Sequence, residues 1–278
     1  MARQRSKRSS GPSETGKWIA IALIIALSLV LAGAGSYWWI STPKATVRDR
    51  VTMCPATDPT NILVVLLDTS DGLPSASKDE VFTYLKDLVE AQPIDTLVDV
   101  RSLDPAFQSG RPILILCNPG NGEGLSEFNG NPELAKRRWR EKFWEPMFVA
   151  LSGGLQQLPS KTSPILQTLQ GIAIDRFTGS RVEKAKKQLV VVSDMIEFGT
   201  EYSQYPPADV SYRRFKSMPI YKKLRTNLYG AEVTIFYVQR TTTRPLNSAQ
   251  HIQFWLDWIA DNNGIIKNAI KLQGVGKS

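Results

Sequence analysis

Histidine and cysteine are nearly missing from this sequence, which has one histidine, His251, and two cysteines, Cys54 and Cys117, in 278 residues. A histidine-rich zinc site is therefore excluded, and no CxxC or Cys–His spacing offers thiolate ligands instead. There is no Ser–His–Asp arrangement and no Cys–His pair, and we expect the histidine on the surface face of a late helix. The two cysteines can pair in an oxidising compartment, and two separate buried thiols are the alternative.

Positive charge is modest over most of the chain. The formal net charge is +8, but +4 of it lies in the first seventeen residues, which leaves +4 for the rest. No helix-turn-helix, zinc-finger or RNA-binding motif accompanies this charge. The glycine-rich stretch 118–131 lacks the Lys-Ser/Thr of a P-loop and the GxGxxG spacing of a dinucleotide fold, so we interpret it as a surface loop. We expect neither a nucleic-acid partner nor a small-molecule substrate.

Residues 18–40 form a long run without charged side chains. Such a run can cross the roughly 30 Å hydrocarbon layer as a helix. Trp18 stands at one end and Trp38 and Trp39 at the other, as in the aromatic belts of membrane proteins. This pattern predicts an uncleaved transmembrane helix. The alternative is a cleaved signal peptide, because Ala32-Gly33-Ala34 has the small residues of a cleavage site.

Five basic residues precede the apolar run, while Lys44, Arg48 and Arg50 follow it. The positive-inside rule then favours a cytoplasmic tail over residues 1–17 and a protein body on the outer side. We expect a single-pass protein of a bacterial inner membrane, with its folded domain in the periplasm.

The remaining chain divides into a linker and one domain. Residues 41–60 contain three prolines with mixed charge, which is typical of a linker. Residues 61–278 alternate strand and helix patterns without a break, and Ile265–Leu272 fits either a last strand or a terminal helix. This alternation predicts one Rossmann-like α/β domain with a mostly parallel sheet flanked by helices.

Polar residues follow the strands with the strongest buried signal. Ile62–Leu67 ends at Asp68-Thr69-Ser70-Asp71-Gly72, and a later apolar run ends at Asp194. Ligands bind at the carboxyl ends of strands in open α/β sheets, and carboxylates with hydroxyls form the oxygen sites that Mg²⁺ prefers. The alternative is a strand-to-helix turn that only caps a helix. Ser163-Pro164 predicts a further helix start, with the serine as cap and the proline at the first helical position.

At these positions the chain resembles the von Willebrand factor A (VWA) family over roughly residues 61–278. The family's Asp-x-Ser-x-Ser loop is matched by Asp68 and Ser70, its threonine by Ser163, and its later aspartate by Asp194. The resemblance implies that these four residues encircle a divalent cation, mostly Mg²⁺, in a metal-ion-dependent adhesion site. Gly72 departs from the pattern, because it stands where the family has its second serine.

The resemblance also implies a disulfide between Cys54 and Cys117. In the family's topology the third strand is an antiparallel edge strand, so its end, at Cys117, lies near the start of the first. The function implied is a membrane-anchored module that docks a protein partner, possibly through the cation, with no catalytic residues. The alternatives are a Mg-dependent phosphohydrolase or phosphoryl-transfer enzyme built on Asp68 and Asp194, and a structural part of an envelope assembly.

Overall fold

A computed structural model describes residues 14–41, 47–70, 72–125, 130–157, 159–205, 210–239 and 247–272. Asp71 and most of the predicted cytoplasmic tail lie outside the described residues. The chain divides into two compact units, residues 1–46 and residues 47–278, and each is described by itself.

The first unit contains helix α1, Glu14–Ser41, which has 28 residues. At 1.5 Å per residue it is about 42 Å long, more than the hydrocarbon thickness of a bilayer. Residues Glu14–Ile40 are long and apolar enough to cross a membrane by length and composition. The helix thus begins before the predicted span 18–40 and includes Lys17.

The second unit is a three-layer α/β domain with a six-stranded sheet in the middle. The strands are β1 (Asn61–Leu67), β2 (Leu97–Ser102), β3 (Arg111–Cys117), β4 (Lys186–Ser193), β5 (Glu232–Val238) and β6 (Ile265–Leu272). Their order in the sheet is β3-β2-β1-β4-β5-β6, and only β3 is antiparallel to its neighbour. The predicted fold class is therefore confirmed, and Ile265–Leu272 forms a strand.

Helices cover both faces of the sheet. They are α2 (Ser75–Glu90), α3 (Pro132–Trp139), α4 (Glu145–Gly154), α5 (Ile165–Ile172), α6 (Tyr212–Ser217), α7 (Pro219–Leu224) and α8 (Ser248–Asp261), with a π-helical turn, Arg140–Trp144, joining α3 to α4 and another, Ala173–Phe177, extending α5. Strand β1 lies in the centre, and its alternate side chains enter two cores. Leu66 packs among residues of α5 and α8, whereas Leu67 packs among residues of α2 and α4. This two-sided burial explains the uninterrupted apolar run of β1.

The two cysteines form a disulfide, as the resemblance implied, with their Cα atoms 4.7 Å apart. Strand β3 is antiparallel, so it ends at Cys117 opposite Leu97, the first residue of β2. The backbone N–H of Cys117 also donates to the carbonyl of Thr52 at 2.8 Å. Residues 47–60, predicted as linker, therefore belong to the domain unit, and Cys54 fastens them to the edge strand.

Candidate functional site

The candidate site lies at the carboxyl edge of the sheet, where β1 and β4 end side by side. The backbone N–H of Asp68 donates to the carbonyl of Val192 at 2.8 Å, which extends the pairing of the two strands by one residue. The residues that follow the two strands, Asp68 and Asp194 among them, therefore leave the sheet at the same edge.

Three hydroxyl groups donate to the buried carboxylate of Asp68. Ser70 Oγ lies 2.8 Å from Asp68 Oδ1, Ser163 Oγ lies 3.0 Å from Oδ2, and Ser193 Oγ lies 2.7 Å from Oδ2. These four residues are called the Asp68 cluster below. The sequence predicted Asp68, Ser70 and Ser163 as site residues. It missed Ser193, although a serine between the buried apolar run and Asp194 was a usable signal.

Ser163 belongs to the site, but the prediction that it caps a helix is wrong. Helix α5 begins at Ile165. Its cap residue is Pro164, whose side chain forms no hydrogen bond with the N–H groups of the first turn. Ser163 instead forms an isolated β-bridge with Phe198, with two backbone hydrogen bonds of 2.9 Å. Glu197 caps the first turn of α5, because its Oε2 accepts from the N–H of Leu166 at 2.7 Å.

Asp194 is buried at the same edge, directly after Ser193. Its Oδ1 accepts from the N–H of Ile196 at 2.9 Å, so one carboxylate oxygen stabilises the turn that leaves β4. Met195 has φ of 60°, a left-handed conformation that is uncommon for a residue with a side chain. The chain therefore turns sharply here and runs back over the start of α5.

Glu197 is a site residue that the sequence analysis missed. It is 2% exposed, and burial raises its pKa to about 8, with a smaller contribution from the negative charge of Asp68. Backbone N–H groups of Leu166 and Ile165 oppose this shift, because they stabilise the carboxylate. Two carboxyl groups thus share one poorly solvated edge, and Glu197 holds its proton at neutral pH.

The expectation that His251 lies on the surface is wrong, because it is fully buried. Its Nδ1 lies 3.0 Å from the hydroxyl of Tyr237, and its Nε2 lies 3.0 Å from Oε1 of Gln204. The same Gln204 oxygen accepts from the N–H of Glu197 at 3.1 Å. Burial lowers the pKa of His251 to about 4, so the ring is neutral. The histidine fastens the loop after β4 to α8.

The oxygen donors fit a hard divalent cation by their chemistry, since Asp68 and Asp194 supply carboxylates and Ser70 and Ser163 supply hydroxyls. No group of three or more His, Cys, Asp or Glu side chains in the described residues is arranged for a metal ion. Gly72 has φ of +55°, which favours glycine. A Cβ atom at this position would lie 3.1 Å from Oε1 of Gln157. An amide oxygen therefore lies near the position of the missing serine.

No protein-family model matches the chain, and no curated protein does. Similar solved structures include the conserved hypothetical protein BatB from Bacteroides thetaiotaomicron, with 11% identity and a TM-score of 0.39 over 77% of this chain and 90% of that one. An aerotolerance-related membrane protein from Bacteroides fragilis NCTC 9343 has 12% identity and a TM-score of 0.35 over 77% and 92%. The ArnB paralog VWA2 from Sulfolobus acidocaldarius has 10% identity and a TM-score of 0.40 over 77% and 43%.

These similarities concern the fold alone. The VWA-like fold that the sequence predicted is confirmed by the sheet itself, which has parallel central strands and an antiparallel third strand at its edge.

Proposed function

We propose that this chain is a membrane-anchored protein-binding module that docks a protein partner at the carboxyl edge of its sheet. One observation carries the proposal. Phe198 and Tyr205 are 37% and 38% exposed, and their rings pack edge to face with centroids 5.2 Å apart. Phe198 pairs with Ser163 of the Asp68 cluster, so an accessible aromatic pair adjoins a recessed polar cluster. Protein interfaces favour such rigid aromatic anchors beside buried polar groups.

In this proposal Asp68, Ser70, Ser163 and Asp194 hold a divalent cation such as Mg²⁺. The cation would supply a positive centre able to accept an acidic side chain of the partner. The chain's own residues orient that centre. The serine hydroxyls fix the carboxylate of Asp68, and the bridge between Ser163 and Phe198 fixes the hydroxyl-bearing loop.

The proposed location is a bacterial inner membrane, with α1 as the anchor and the domain in the periplasm. The five basic residues before the apolar run favour a cytoplasmic amino terminus. The disulfide between Cys54 and Cys117 agrees with an oxidising compartment on the far side. The proposal assigns no catalytic residue, because the single histidine is buried, neutral and used to fasten a loop.

The test is co-purification of the full-length chain from membranes in detergent, with Mg²⁺ or with EDTA. We expect a protein that is retained with Mg²⁺, released by EDTA, and lost from the Phe198→Ala/Tyr205→Ala variant. Tyr229→Ala is the matched control, because Tyr229 is an exposed aromatic residue just before β5, at the opposite edge of the sheet. Equal recovery with all three proteins would overturn the proposed site, and recovery that ignores EDTA would overturn the role of the cation.

A further inference from the structure

We propose that the amino edge of the sheet binds the headgroups of anionic lipids and forms a second contact with the membrane. The surface, called the basic edge here, consists of residues 47–54, 93–95 and 118–125 together with α3 and the next residue, Arg140. It lies opposite the Asp68 cluster, so the inference goes beyond the proposed function and shares with it only the membrane anchor.

Covalent and polar contacts join these segments into one surface. The disulfide ties Cys54 to Cys117, which ends β3 beside the first residue of β2. Arg48 Nη2 lies 2.6 Å from Oδ1 of Asp95, in the turn before β2. Residues 47–54 are thus held on two sides against the start of the parallel strands.

Helix α3 packs against the same edge with one side. The indole N–H of Trp139 donates to Oδ1 of Asn118 at 3.1 Å. A Cβ atom at Gly122 would lie 2.9 Å from Cβ of Ala135, so the glycine loop runs in close contact with the helix. Because Ala135 and Trp139 face inward, Arg137 faces away from the domain and Lys136 and Arg138 flank it, and all three are exposed.

Three exposed basic residues of this helical segment lack ionic partners among the described residues, whereas Arg137 lies 4.0 Å from Glu141. Lys136, Arg138 and Arg140 are exposed, and none has a carboxylate within 4.0 Å in the part of the chain that is described. Three acidic residues, Asp49, Glu123 and Glu133, are also exposed on the basic edge, and Arg50 is a further exposed cation there. The segment 132–140 has four basic residues and one acidic residue, Glu133, and this excess of positive charge makes its exposed face complementary to a layer of phosphate headgroups.

Exposed aliphatic side chains on the same edge distinguish this surface from a basic face that is simply solvated. Val51 is 81% exposed, Ile94 is 54% exposed and Leu134 is 39% exposed. Basic residues combined with exposed apolar residues are typical of surfaces that lie in the membrane interface. The domain unit also begins here, at Val47, and only residues 42–46 separate it in sequence from the end of α1. A bilayer surface is therefore the partner that this edge fits.

The test uses the full-length chain in lipid nanodiscs, with an NBD fluorophore on a cysteine introduced at Leu134. We expect its emission to shift to the blue in nanodiscs of phosphatidylcholine mixed with phosphatidylglycerol, but not in phosphatidylcholine alone. A label at Ser152→Cys is the control position, because Ser152 is exposed near the end of α4, at the carboxyl edge. High salt should reverse the shift, since headgroup attraction is screened within a Debye length.

Lys136→Gln/Arg138→Gln/Arg140→Gln should abolish the shift, because each basic residue near an anionic surface strengthens binding by roughly fivefold, or about 100-fold for three. The matched control removes three cations from the carboxyl edge, Lys78→Gln/Arg111→Gln/Lys161→Gln, and should keep the shift. Equal emission in both lipids, or a shift that survives the first triple variant or high salt, would overturn the proposal. If the Lys136→Gln/Arg138→Gln/Arg140→Gln variant still co-purifies with the protein partner, the lipid surface and the docking site are separate.

Discussion

The disulfide between Cys54 and Cys117 gives the sharpest prediction for stability. The perturbation is the double substitution Cys54→Ser/Cys117→Ser, which removes the cross-link without leaving a single reactive thiol. The bridged residues are 63 positions apart in sequence. In the chain-entropy model a closed loop of this length lowers the free energy of the folded state, relative to the unfolded chain, by about 4 kcal/mol.

That free energy corresponds to a large shift in melting temperature. For a domain of this size about 1 kcal/mol moves the melting temperature by roughly 2–4 °C, so we expect a decrease of about 8–16 °C. The assay is scanning calorimetry of the full-length chain in detergent. Wild-type protein reduced with dithiothreitol is the control, because it has both thiols and no substitution. A decrease below about 2 °C in both samples would show that other contacts already constrain residues 47–54 in the unfolded chain, and would refute the entropic reasoning.

Two further predictions concern buried charge and use chemical denaturation of the same protein. Burial raises the pKa of Glu197 from 4.5 to about 8, so the folded state binds a proton that the unfolded chain releases. The lowered pKa of His251 acts in the opposite direction between about 4 and 6.5, so wild-type stability should fall most clearly as pH rises from about 6.5 to about 8. Glu197→Gln should remove that fall, and parallel pH profiles of the two proteins would contradict it. Asp99 is fully buried and accepts from Nε of Arg101 at 2.9 Å and from Nε of Arg176 at 2.5 Å. Asp99→Asn should lower the free energy of unfolding by about 3 kcal/mol, because Arg101, itself only 2% exposed, loses its closest carboxylate. A decrease below about 1 kcal/mol would be inconsistent with this account.

Local patterns in the sequence predicted the fold well because they record burial directly. The run Ile62–Leu67 is apolar without alternation since β1 is covered on both faces, and this is visible in six consecutive residues. The position of Asp68 follows from the same reasoning, because the carboxyl ends of parallel strands share an edge.

The errors and omissions arise from contacts between segments far apart in the chain. The residues next to Ser163 favour a helix cap at this position. In the structure Glu197 accepts from the first turn of α5 instead, and the hydroxyl of Ser163 donates to Asp68. The sequence around His251 fits an exposed position on a helix. In the structure the loop after β4 folds over α8 and buries this histidine. No local signal shows that Gln204 reaches this histidine.

Site-specific photo-crosslinking in intact cells tests the central claim most directly. The photoreactive amino acid p-benzoylphenylalanine would replace Phe198, beside the Asp68 cluster, or Tyr229, at the opposite edge of the sheet. The account predicts a discrete crosslinked protein partner from position 198 that is absent from position 229. A partner crosslinked from position 229 alone, or no crosslink from position 198 while the protein is folded in the membrane, would contradict it.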